Sequence, residues 1–141
     1  MLWIIAIIGC IISLATSLLA DHALVRRIPL IGSFAGLERS VNAGVAFSIT
    51  FPPMLQFFLV VGALLFVLFF ASRSPSTRLH QWAFGLIIGG AVANIIDRSI
   101  DGFVTDYFQV GAFPVFNVAD SCITVGVGLL LLAACLNRNT V

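Results

Sequence analysis

The sequence predicts an all-α membrane protein: four transmembrane helices in a single domain over residues 1–141, with a small β-rich loop outside the membrane after the first helix. Three observations predict it. Of 141 residues, 60% are hydrophobic and 9% charged, with a mean hydropathy of +1.13; a soluble domain carries roughly a quarter charged residues. Four predominantly apolar stretches each approach the 20 or so residues that cross a bilayer core. The connections between them alternate between long and short. This composition excludes a soluble globular enzyme, a disordered chain and a nucleic-acid binder. All seven basic residues are arginine, so a Ser–Lys dyad or a lysine Schiff base is excluded too.

The first span, 2–20, has Ser13, Thr16 and Ser17 as its polar members. It lacks the basic start of a cleaved signal peptide and is read as a retained helix. The second, 54–71, is nearly pure Phe, Leu, Val and Ala, and Pro52-Pro53 opens it where a missing N–H costs nothing. The third, 79–96, carries His80 and Gln81 at one end and Asn94 at the other; the fourth, 118–136, has Asp120 just inside its start. The intervening connections run 21–53, 72–78 and 97–117, followed by a tail from 137. Arg73, Arg78 and Arg138 are dense in the short loop and tail, which sets these inside. Both termini are then expected in the cytoplasm and both long loops outside. Within 28–51, Gly32, Gly36 and Gly44 punctuate the β-formers Phe34, Val41, Val45, Phe47, Ile49 and Phe51. Short strands with turns at the glycines are expected there, lying on the membrane surface. Cys10, Cys122 and Cys135 all fall in apolar segments, so they give no disulfide framework and read as packing residues.

In so apolar a chain, polar residues near the hydrocarbon are functional candidates by default. Asn94, Asp97, Arg98 and Asp101 share one helical face if the third span continues, and Asn117, Asp120 and Thr124 share another. Asp106 sits in the apolar run Phe103–Phe108, and Asn42 in the first long loop. Under the expected topology all lie at the outer surface. No metal is expected: the histidines, His22 and His80, fall on opposite sides and no H-E-x-x-H occurs. Carboxylate chemistry remains, because two aspartates in an apolar site share one proton and act as acid and base. Asp106 and Asp120 are the best pair. Structural readings stand beside this one. Asp97 reads as an ion pair with Arg98, Asp101 as a turn residue before Gly102, Asn117 as an N-cap, and Asp120 as a first-turn acid facing the helix dipole.

The run from Gly89 through Asn94 to Arg98, then Gly102–Tyr107 with Asp106, then Phe116–Gly126 with Asn117 and Asp120, resembles the lipoprotein signal peptidase (signal peptidase II) family. Asn42–Phe47 is similar to that family's Asn-x-Gly-x-Ala-Phe element, and Asp21-His22 to its Asp-Gln. The resemblance implies a bacterial cytoplasmic-membrane aspartic endopeptidase. It removes signal peptides from prolipoproteins, cutting before a diacylglyceryl-modified cysteine, and needs no cofactor. Its implied partners are those prolipoproteins and membrane lipid. It implies Asp106 and Asp120 as the catalytic pair. Asn42, Asn94, Arg98 and Asn117 are implied as residues that hold substrate carbonyls and the aspartates, and the first long loop as a surface β-cradle.

Three departures stand out. Ala93 precedes Asn94 where the family has Gly, and His22 replaces Gln. Val25, followed by Arg26, stands where the family usually has Lys; Arg26 is the expected substitute partner of Asp21. The first long loop is also short for the family. The alternative reading is a small transporter or proton-relay protein carrying protons on Asp97, Asp106 and Asp120.

Overall fold

The computed structural model describes residues 1–44 and 52–138, so Val45, Phe47, Ile49 and Phe51 lie outside the described residues. Four helices follow the predicted spans: α1 Leu2–Ala23, α2 Pro53–Arg73, α3 Arg78–Asp101 and α4 Val118–Arg138. At about 1.5 Å per residue, each is long enough to cross the roughly 30 Å hydrocarbon layer, and all four have the apolar composition to do so. The larger exposed residues, such as Trp3, Ile11, Phe66 and Leu131, form the helices' outer faces. All four run past their predicted C-terminal ends, α1 and α3 furthest. α1 continues through Asp21, and α3 through Asp97 and Arg98 to a left-handed cap at Gly102 (φ 91°), whose N–H bonds Arg98 O at 2.9 Å.

α3 is the centre of the bundle, and small residues explain why. A Cβ on Gly85 would lie 2.8 Å from Ile5 Cβ, and one on Gly89 2.5 Å from the Ala6 carbonyl, so this i, i+4 pair lets α1 lie against α3. On the opposite side, Gly90 meets the Ala119 carbonyl, and Gly126 would bring a Cβ 2.6 Å from the Ala83 carbonyl. α4 therefore packs as closely as α1 does. Lipid-solvated helices gain little from apolar burial alone, so such close backbone approach supplies the packing. α2 packs chiefly along α3, leaving a gap towards α4.

A four-stranded antiparallel sheet caps one end, in the order β1 (Ile28–Ile31), β2 (Ala35–Asn42), β3 (Val104–Val110), β4 (Phe113–Phe116). Within the described part of the first long loop the expected strands are present as β1 and β2, but they are half of the sheet. The second long connection supplies β3 and β4, which the sequence reading took for loop. Val104–Tyr107 is buried on both faces, so the strand shows no apolar–polar alternation to betray it. β4 contains Pro114, tolerated on an edge strand.

Candidate active site

β3 carries Asp106, which is 2% exposed. Because strand side chains alternate, Asp106 points to one face while Thr105 and Tyr107 point to the other. On its face, Asn42 Nδ2 of β2 donates to Asp106 Oδ2 at 3.0 Å, and Asn117 Nδ2 donates to Asp106 Oδ1 at 2.8 Å. Asn117 stands immediately before α4 and is 1% exposed. Its Oδ1 accepts from the Asp120 N–H at 2.9 Å, while its own N–H donates to Asp120 Oδ2 at 3.3 Å. That is a reciprocal N-terminal cap. The expected N-cap is present, and the same amide also binds Asp106, so the structural and functional readings of Asn117 describe one residue. Asp120 Oδ1 accepts from Asn94 Nδ2 at 2.9 Å, and Asn94 Oδ1 accepts from Asn117 Nδ2 at 3.2 Å. Three neutral amides thus bridge two carboxylates without adding charge.

Asn42, Asn94, Arg98, Asp106 and Asp120 all line one cavity of about 360 Å³. The rest of its wall is apolar, from Leu59, Leu64 and Val67 of α2, Ile87 and Ala91 of α3, and Ile123 of α4. This is the gap that α2 leaves. Burial lifts the Asp106 carboxyl from its ordinary value to about 6. The Asn42 amide opposes this rise, the charge of Asp120 adds to it, and the Asn117 amide and the Arg98 charge oppose it. A desolvated carboxyl beside a second acid holds a proton at mildly acid pH.

The third-span face does not act as one unit. Asn94 and Arg98 reach the cavity, whereas Asp97 Oδ2 accepts the Thr105 N–H at 2.9 Å. The expected Asp97–Arg98 ion pair is therefore replaced: adjacent helical residues do not face each other. Arg98 Nη2 instead donates to the Gly44 carbonyl at 2.5 Å, and its buried Nε has no partner among the described residues. Asp101 is the expected turn residue, its Oδ1 accepting the Phe103 N–H at 3.0 Å. Nor does Arg26 serve Asp21; Arg39 Nε of β2 pairs with Asp21 Oδ1 at 2.7 Å. Among the described residues no three His, Cys, Asp or Glu side chains gather as metal ligands.

Two site neighbours were overlooked. Gln56, 5% exposed, donates to the Ala43 carbonyl at 3.0 Å and so fastens α2 to the segment after Asn42. As the lone amide near the start of an apolar span, it carried the signal that polar residues at membrane depth always carry. Tyr107 Oη donates to Thr16 Oγ1 at 2.7 Å and accepts the Val118 N–H at 3.3 Å. It joins β3 to both α1 and the start of α4, a pairing no sequence spacing reveals.

Fold and site together define a small polytopic membrane protein with paired carboxylates, held by amides, where an apolar inter-helix cavity meets a surface sheet. The chain belongs to the signal peptidase (SPase) II family, whose model matches residues 5–136. It is 37% identical over 147 aligned positions to the lipoprotein signal peptidase of Chlorobaculum tepidum, covering 92% of this chain and 91% of that one. It is 40% identical to that of Shouchella clausii, covering 75% and 72%. A solved bacterial membrane enzyme superposes with a TM-score of 0.87 at 26% identity, over 98% of this chain and 90% of the other. A second such enzyme gives 0.80 at 28%. None of these relatives supports the transporter or proton-relay alternative.

Proposed function

We propose that this chain is an aspartic endopeptidase that removes signal peptides from prolipoproteins, cutting before the diacylglyceryl-modified cysteine. The observation that carries the reading is that Asp106 and Asp120 line one cavity and that Asn117 holds both carboxylates, Asp106 by its side-chain amide and Asp120 by its backbone N–H. Asp106, buried and lifted to about 6, is the acid. Asp120, in the first turn of α4 where the helix dipole favours an anion, is the base. Asp120 takes a proton from water as its oxygen adds to the scissile carbonyl, and Asp106 gives its proton to the carbonyl oxygen. Asp120 then passes its proton to the leaving nitrogen as the C–N bond breaks. Asp106 recovers its own as the new carboxyl group forms, and the pair is restored. Asn42, Asn94 and Asn117 fix the two carboxylates, and the Nε of Arg98, without a partner among the described residues, binds a substrate carbonyl.

The apolar cavity wall suits a signal peptide arriving sideways from the bilayer. Both termini lie in the cytoplasm, and the sheet and site lie at the outer face of the bacterial cytoplasmic membrane. The test is cleavage of a lipid-modified prolipoprotein by purified protein. Asp106→Asn and Asp120→Asn should each remove at least about 10²-fold of the rate, the lower part of the range that acid–base roles supply. A variant of either that stays nearer the parent rate refutes the pair.

A further inference from the structure

The sheet register carries information about how Asp106 is held. From Ala35↔Val110 to Leu37↔Phe108, β2 and β3 pair without interruption; the pairing then resumes at Ser40↔Asp106. β2 has advanced three residues while β3 has gone back two, which is a one-residue bulge. Opposed residues share a face, and a one-residue slip transfers every side chain to the other face. Had the first register continued, Arg39 would stand opposite Asp106 and Asn42 would face away from it. With the bulge, Asn42 reaches Asp106 at 3.0 Å and Arg39 emerges on the Thr105 face, where it meets Asp21 at 2.7 Å. The strand irregularity thus keeps a guanidinium off the acid and supplies an amide instead, a recognised use of bulges beside active sites.

On that second face, the Asp21 carboxylate accepts from Thr105 Oγ1, 3.2 Å from each oxygen, as well as from Arg39. Asp97 holds the Thr105 N–H at 2.9 Å. Thr105, 4% exposed, is therefore gripped by its hydroxyl from α1 and by its amide from α3, one residue from Asp106. We propose that Arg39, Asp21 and Thr105 are positioning residues for the peptidase reaction, a rear clamp that fixes Asp106 against Asp120 without touching substrate. The proposal rests on the acid–base roles given above. It assigns to Arg39 the cation that holds Asp21 in a chain with Val25 and no lysine.

Thr105→Val keeps the side chain's volume and removes its hydroxyl. Since small misplacements of a reacting group cost on the order of 10²-fold, kcat for prolipoprotein cleavage should fall by about that much with KM little changed. Thr105→Ser, which restores the hydroxyl, should recover most of the loss. Arg39→Gln should lower kcat in the same way, and the double variant with Thr105→Val should lose less than the product of the two single losses, because both act through Asp21. An infrared titration of the Asp106 carboxyl, assigned by its disappearance in Asp106→Asn, reads the clamp without catalysis. In Thr105→Val the titration should move down from about 6 as the loosened carboxyl gains water. The charged groups on that carboxyl's own face are Arg98 of α3 and Asp120 of α4. Across the strand are Asp21 of α1, Arg39 of β2 and Tyr107, with Asp97 of α3 on the Thr105 amide; none of these is altered in Thr105→Val. A parent that cleaves while Thr105→Val keeps parental kcat and the parental titration overturns the clamp alone. A parent that cleaves no prolipoprotein overturns the peptidase reading, and the clamp's role in catalysis with it. Losses that multiply in the double variant, or a Ser variant as slow as Val, also overturn it, since these mark general destabilisation.

Discussion

Replacing Asp106 by asparagine should change how the protein's stability depends on pH, whatever it does to cleavage. The Asp106 carboxyl lies at about 6 in the folded protein against an ordinary 3.8. The folded state therefore binds this proton more tightly than the unfolded state. Its contribution to stability is fully present below the unfolded value and is lost as pH rises through about 6. A displacement of roughly 2 pH units at about 1.36 kcal/mol each comes to some 3 kcal/mol, and with Asp106 only 2% exposed, solvent screening removes little of it. At roughly 2–4 °C per kcal/mol for a chain of this size, that is on the order of 10 °C between pH 4 and 8. Asparagine carries no charge at either pH and so removes this slope. It also turns an NH₂ towards one of the two donors, Asn42 or Asn117, that now meet carboxylate oxygens, costing about 1–3 kcal/mol throughout. The variant should therefore melt below the parent at pH 4–5 and draw level with it or pass it near pH 8. Detergent-solubilised protein followed by tryptophan fluorescence on heating gives both curves. Parallel curves, or a parent whose melting temperature gains over Asp106→Asn as pH rises from 5 to 8, would refute the buried, raised carboxyl.

Three further outcomes follow from the same geometry. Arg98→Lys keeps the charge and can still reach one acceptor, but not both the Gly44 carbonyl and whatever the unpartnered Nε binds. Cleavage should fall roughly 10-fold or more, the worth of one lost charged hydrogen bond, and near-parental rates would remove the fork-like role. Cysteines introduced at Ser33 and Ala112, both exposed at the sheet end, should react with an impermeant thiol reagent applied outside cells, in a background without the native three. One at Ser76 should not, and the reverse pattern would invert the orientation. Gly90→Ala sets a Cβ against the Ala119 carbonyl, one residue before Asp120. It should cost about 1–3 kcal/mol of stability and part of the activity. Gly62→Ala, with nothing within 4 Å, should be neutral in a melting assay that compares the two.

The helices were legible because a bilayer imposes a length and a composition, and both can be counted along the chain. Half of the sheet was not. β1 is exposed along its length, β2 only in part, and the turn glycine Gly32 at φ 51° marks the break between them. Val104–Tyr107 is covered on both faces, and its strand character comes from pairing with β2, some 65 residues earlier in the chain. A long-range ladder leaves no local pattern. The charge partners were hidden for the same reason. Arg26 was the neighbour of Asp21 in sequence, yet Arg39 is its neighbour in space, delivered by a bulge that no composition rule anticipates.

Helical spacing grouped the polar residues of α3 but did not show which partners each would meet. Asn94, Asp97, Arg98 and Asp101 fall on one helical face by count, yet each meets a different partner. Asn94 binds a carboxylate, Arg98 a loop carbonyl, Asp97 a strand amide and Asp101 the turn beyond the helix. What separates them is the chain that returns over the end of α3. Gly102 reverses the backbone so that β3 passes between α1 and the cavity, with Thr105 turned back to Asp21 and Asp106 turned forward to Asn42 and Asn117. One acidic residue near the membrane surface is thereby a strand anchor and another the proposed proton donor, though both lie within ten residues of each other. The difference comes from their donors. Asp97 holds a backbone N–H and a fixed strand position, whereas Asp106 is buried between two amides and opens on the cavity that Asp120 shares. Placing a carboxylate at the membrane surface is therefore not enough to make an acid. It needs burial to raise its proton affinity, neutral donors to hold it, and a second carboxylate whose charge adds to that rise.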